Sequence, residues 1–153
     1  VLPVLLLRFQ VVLAALWFGL VLTLALMVTP MLFSMLDRPL AGQVAGALFR
    51  VEAHTALGVA AALFLIERRQ ASLRAVWGQG SVFSMELSLI LAALFCTVLG
   101  YFGLQPMMES ARLGTSSLSF GLLHGLSSTF FGLKGLILVV LTWRLIARLS
   151  RRG

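Results

Sequence analysis

Residues 9–36 read FQVVLAALWFGLVLTLALMVTPMLFSML, 28 positions without one charged side chain. An α-helix needs roughly 20 apolar residues, at about 1.5 Å each, to cross the hydrocarbon core of a bilayer. This stretch therefore decides the class: the chain reads as a membrane protein. Residues 87–108 (LSLILAALFCTVLGYFGLQPMM) form a second uncharged run long enough to cross. Outward from these two, the 12 Lys and Arg cut the 153 residues into four membrane-length pieces.

Composition excludes most alternatives. The chain is 60% hydrophobic and 11% charged, with a mean hydropathy of +1.04, whereas a soluble domain carries about 25% charged residues. The net charge of +7 is not a nucleic-acid signature, because such a site needs its cations in a stripe on a wetted face. Here they flank apolar spans, so the expected partners are anionic lipid headgroups and not nucleic acid. Cys96 is the single cysteine, which rules out an intramolecular disulfide and a cysteine-built metal site. The first run is too long for a signal-peptide core of roughly 7–15 residues, and no small-x-small cleavage site closes it. It reads as a retained helix.

The predicted fold is all-α: a four-helix transmembrane bundle forming one integral membrane domain over residues 1–153, with helices at about 5–35, 41–66, 84–105 and 118–147. Pro30 predicts a kink or early stop around residues 28–30, since proline removes a backbone donor. Residues 36–40 (LDRPL) carry turn chemistry. A longer polar connector over residues 67–85 holds Arg68, Arg69, Arg74, an interfacial Trp77 and the breaker Gly78-Gln79-Gly80. Pro106 is expected to end the third helix. If the N-terminus is cytoplasmic, Arg8, Arg68, Arg69, Arg74, Arg144, Arg148, Arg151 and Arg152 fall inside, and Arg38 and Arg112 outside. By the positive-inside rule both termini are expected in the cytoplasm.

Ionisable groups at membrane depth are costly and therefore informative. Five are candidates for binding: Arg50, Glu52 and His54 in the second helix, His124 and Lys134 in the fourth. Arg50 is expected to snorkel outward toward Asp37 or Glu109, and Lys134 to lean toward the cytoplasmic face. Arg50 and His54 are four apart and share a helix face; Glu52 points nearly the opposite way. Glu52 must then find Lys134, a hydroxyl or another subunit, or be protonated; otherwise it is a shallow carboxylate near the outer surface. Glu86, just after Ser84, is expected at the interface beside a helix N-terminus.

Gly42 with Gly46, and Gly121 with Gly125, fit the GxxxG spacing that lets helix backbones approach. With Ser128 on the His124 face, they predict that the second and fourth helices pack together. Two histidines in a four-helix bundle invite a haem, but their expected depths differ by about 10 Å along the helices, too much for ligation from one level. A soft metal is the other cofactor weighed, from Met31, Met35, Met107 and Met108 converging near His124, with Met27 one turn further along; methionine at this spacing is more often core filling. No cofactor and no catalytic constellation is expected: there is no nucleophile elbow, no phosphate-binding glycine loop and no HExxH.

Pro30-Met31-Leu32-Phe33, then Ala41-Gly42 and Gly46-Ala47-Leu48-Phe49, resemble the first two helices of the transmembrane-protein-205-like family, in its bacterial branch, the domain of unknown function 4149. Phe120-Gly121-Leu122-Leu123-His124-Gly125-Leu126-Ser127 looks like that family's last-helix signature, and Trp17, Gly19, Tyr101 and Pro106 also fit its pattern. The resemblance covers essentially the whole chain. It implies a four-helix integral membrane protein, expected on this resemblance alone in a bacterial inner membrane, and carries over no activity; His124 matches its motif, whereas His54 and Lys134 match no position in it. The resulting expectation is a non-enzymatic multi-pass protein acting through helix contacts, as an accessory or scaffold subunit of a larger membrane assembly or as a small homo-oligomer. The alternative is a small transporter, or a soft-metal or haem protein, built on His54, His124 and the methionines.

Overall fold

The structure is a computed structural model describing residues 2–78 and 81–151. Those residues form four long helices and no strand: α1 (Val4–Met35), α2 (Arg38–Val76), α3 (Met85–Arg112) and α4 (Phe120–Ser150). Each is long and apolar enough to cross a bilayer. Short connectors make them run up and down in turn. α1 packs on α2 and α4, and α3 packs on the same two, so α2 and α4 stand parallel to each other across a diagonal. The exterior is the greasy side: Leu16, Leu65 and Leu136 are each 66% exposed, while Gln10, Glu52, Glu67, Gln70, Glu86 and Lys134 are buried inside. Such an inversion suits a lipid solvent, and this is a multi-pass membrane protein.

Two helices depart from the predicted ends. α2 runs ten residues past 66, to Val76, because Glu67, Gln70 and Ala71 are buried against the bundle rather than left in a loop. It stops instead at the connector's glycine breaker, where Gly78 takes a φ of +67° open to glycine without strain; Gln79 and Gly80 lie outside the described residues, as does Arg152. α3 runs through Pro106 to Arg112. Pro30 likewise neither stops nor ends α1. In both cases a π-helical turn precedes the proline, Leu24–Val28 before Pro30 and Val98–Gly103 before Pro106. The wider turn takes up the backbone carbonyl that the proline ring would otherwise strike.

The helix starts follow ordinary capping chemistry. Ser84 accepts a hydrogen bond from Leu87 N–H at 3.1 Å and Ser119 one from Leu122 N–H at 3.3 Å.

Close packing uses alanine where the sequence pointed to glycine. α2 buries Ala41, Ala45, Ala53, Ala56 and Ala60, a small-residue stripe that brings its neighbours near. The GxxxG expectation fails: Gly42, Gly46, Gly121 and Gly125 would each accept a methyl group with no atom within 4 Å, and α2 and α4 stand on the diagonal. Gly100 is the tight one, since a Cβ there would lie 2.7 Å from Phe130 Cβ.

Candidate functional site

Glu52 and Lys134 reach the bundle centre from the two diagonal helices. Each lies 14 residues into its helix, about 21 Å at 1.5 Å per residue, so they meet at one level near mid-membrane. Both are 2% exposed. Lys134 Nζ donates to both carboxylate oxygens of Glu52 at 2.8 Å. Trp17 Nε1–H donates to Glu52 Oε1 at 3.4 Å, and the Phe131 ring lies 4.5 Å from Lys134 Nζ. Two buried charges are tolerated here because they neutralise each other, with Trp17 and the Phe131 ring adding to the carboxylate and the ammonium.

The pair forms the floor of a cavity of about 610 Å³. From it the walls rise past Cys96 and Gly100 of α3, Phe49 and Gly46 of α2, and Phe131 and Ser128 of α4, to Arg38, Arg112 and Phe120 at the helix ends. Ala25, Thr29 and Phe33 supply the α1 side. At the mouth the Arg112 guanidinium lies 4.8 Å over the Phe120 ring, which stacks on the His124 imidazole at 5.7 Å and 10°. The glycines predicted to join helices do the reverse: Gly42 and Gly46 keep the wall thin and the cavity wide.

The opposite end is tied shut. Glu67, fully buried, receives hydrogen bonds from Arg74 (2.7 Å), Ser84 Oγ (2.7 Å), Arg148 (3.0 Å) and Gln10 Nε2 (3.1 Å). Gln70 donates to Gln10 Oε1 at 2.9 Å. Arg148 also bonds Glu86, which Arg144 contacts at 2.9 Å. This network joins all four helices, and among the described residues no buried side-chain nitrogen or oxygen lacks a partner.

The description "Domain of unknown function (DUF4149)" matches residues 12–116, spanning the first three helices and most of the cavity wall. The chain belongs to the DUF4149 family. No curated protein and no solved structure matches it, and the family match says nothing of a kinship with transmembrane-protein-205-like proteins.

Within this DUF4149 protein the structure separates the predicted candidates. Glu52 and Lys134 come together; Lys134 does not lean toward the helix end, and Glu52 is no shallow carboxylate. Arg50 is exposed and, among the described residues, pairs with neither Asp37 nor Glu109. His54 is also on the outer face, its Nδ1–H donating to the Arg50 carbonyl at 2.8 Å and its ring against Phe102 at 5.3 Å. It does not share a space with His124, which lines the cavity. Met31 and Met35 are 60% and 69% exposed and Met107 40%, while Met108 alone of the four lines the cavity; they do not converge. Among the described residues, no group of three or more His, Cys, Asp or Glu is placed to hold a metal. Glu86 sits in the first turn of α3 beside the Ser84 cap, as expected, but is buried and ion-paired, away from water.

Sequence reasoning missed the closed end and the role of Trp17. One signal was present in the numbering. Glu52 and Glu67 are 15 apart on α2, and Lys134 and Arg148 are 14 apart on α4, close to four turns in both cases. On parallel diagonal helices those spacings set two acid–base rungs at matching heights.

Proposed function

We propose that this protein binds a small solute in the cavity between its helices and acts as a solute-binding or carrier protein, without covalent chemistry. The observation that carries this reading is the cavity itself: about 610 Å³, within the roughly 300–1,000 Å³ of small-molecule sites, walled by all four helices and floored by an ion pair. The asymmetric ends support it, since one end is cross-linked by the Glu67–Arg148–Glu86 network and the other is not. We place both termini in the cytoplasm, as the arginine distribution favours, and the chain in a bacterial inner membrane, as the resemblance to the bacterial family branch suggests; the cavity then faces outward.

Labelling with a membrane-impermeant thiol reagent tests this. In a Cys96→Ala background, Ser128→Cys on the cavity wall is expected to react in right-side-out vesicles and not in inverted ones. Leu136→Cys, on the lipid-facing surface, is the unreactive control. A Ser128→Cys thiol as inert as Leu136→Cys in both vesicle types would mean a dry bundle and overturn the reading.

A second reading, an accessory subunit or homo-oligomer, draws on Gly121 and Gly125. They lie exposed on α4 with open space around them, a surface suited to a helix from another chain. Cysteine cross-linking through Gly125→Cys in membranes, followed by electrophoresis, checks it; a product at one-subunit mass alone speaks against it.

A further inference from the structure

We infer that the cavity's occupant is an amphipathic anion, its carboxylate or phosphate head held by Arg38 and Arg112 and its apolar body laid against Phe33, Phe49 and Phe131. This rests on the cavity being a solute site and adds the chemistry of the solute.

The charge balance of the site carries it. Glu52, Glu67 and Glu86, the buried acids, are taken by Lys134, Arg74, Arg144 and Arg148. The floor pair is neutral as a unit. Arg38 and Arg112 also line the cavity, and among the described residues neither forms a salt bridge. The acids nearest them in sequence, Asp37 and Glu109, are absent from the cavity wall, and the Asp37 carboxylate faces the Leu40 N–H at 3.5 Å as a helix cap. The wall thus holds two unanswered guanidinium charges at its mouth and aromatic rings below.

Geometry favours an anion with a planar or tetrahedral oxygen head. Arg112 Cζ stands 4.8 Å from the Phe120 ring centroid, and that ring stacks on His124; among the described residues no salt bridge takes the guanidinium, whose forked N–H groups suit a head with paired oxygens. The mouth lies at the helix ends, at headgroup depth, where an anionic head stays hydrated. Phe33 stands near the mouth, and the Phe49 and Phe131 rings lie deeper, about 16 Å along their helices at 1.5 Å per residue, where an alkyl or aromatic body is shielded from water.

Protection of the Ser128→Cys thiol tests the inference in phosphatidylcholine nanodiscs, with a neutral maleimide as the label. Decyl phosphate and decanoate are expected to slow labelling in a saturable way, and decyltrimethylammonium, with the same tail and opposite charge, is not. Arg38→Gln and Arg112→Gln, at exposed positions, are each expected to raise the half-protecting concentration about tenfold. An unchanged labelling rate without amphiphile shows that these variants keep the fold. Equal protection by the cation, no protection by either anion, or protection indifferent to both arginines would overturn the inference while leaving the solute site standing; a thiol that never labels would remove the site as well. Nanodiscs of phosphatidylglycerol separate two sources of the head, both consistent with an anion site. Slower labelling there without added amphiphile assigns it to a bilayer lipid, and an unchanged rate assigns it to a free amphiphile.

Discussion

Removing one member of the Glu52–Lys134 pair leaves the other charged and buried near mid-membrane. Both residues are 2% exposed, and breaking a buried pair from one side costs about 3–5 kcal/mol. The lower figure applies here: the cavity gives the survivor a route to water, Trp17 still donates to Glu52, and the Phe131 ring, 4.5 Å away, still faces Lys134. Lys134→Met and Glu52→Gln are each expected to destabilise by about 3 kcal/mol, and the double variant by about the same amount, a coupling near 3 kcal/mol. Unfolding in mixed micelles with rising dodecyl sulfate measures it. Trp17 is 2% exposed and touches the pair, whereas Trp77 and Trp143 are 78% and 75% exposed, so fluorescence in a Trp77→Phe/Trp143→Phe background reports the site itself. Additive losses, with the double variant near 6 kcal/mol, or single losses below about 1 kcal/mol, would refute the claim that the two charges act as one unit.

Glycine positions separate close packing from cavity space. Gly100→Ala, with its methyl 2.7 Å from Phe130 Cβ, is expected to cost about 1–3 kcal/mol in the same unfolding titration, and Gly46→Ala, which meets nothing within 4 Å, to stay within about 0.5 kcal/mol. At the closed end, Arg148 joins two buried carboxylates, so Arg148→Gln is expected to cost about 3 kcal/mol or more. Arg144, whose side chain is 43% exposed, is expected to cost no more than about 1 kcal/mol as Arg144→Gln. Equal losses for the two would show that burial does not set their importance.

The fold was legible because lipid imposes it. Uncharged runs at 9–36 and 87–108 have no other stable use, and the four helices follow from where arginine interrupts them. What the sequence concealed is how charges find one another. Glu67 and Glu86 looked like connector and interface residues because a carboxylate beside arginines in a polar segment ordinarily sits in water. They are buried here because Arg148, 81 residues from Glu67 along the chain, comes to meet them. The glycine pairs misled for a related reason: GxxxG states that a backbone is accessible and not what approaches it. On α2 the approach falls on the adjacent alanines, and the glycines are left facing space. Glu52 was readable as needing a partner, since its face is opposite Arg50 and His54, but choosing Lys134 required knowing that α2 and α4 run parallel.

Each π-helical turn adds about one residue of rotation, roughly 100°, to the helix that carries it. From the Arg148 end up to the first residue of its turn, α1 buries Leu7, Gln10, Ala14, Trp17, Val21 and Leu24 in alternating steps of three and four. From within the turn onward a new stripe, Ala25, Thr29 and Phe33, faces the cavity. α3 also changes stripe, passing from Ile90, Ala93, Thr97 and Gly100 to Gln105, Met108 and Arg112. α1 is thus two half-rods clocked against each other, its bundle seam and its cavity face set in separate phases, whereas in α3 the two overlap at Thr97 and Gly100, which are buried in the bundle and also line the cavity. On α1, a substitution on the cavity stripe at Ala25, Thr29 or Phe33 therefore leaves the period of the buried seam from Leu7 to Leu24 untouched.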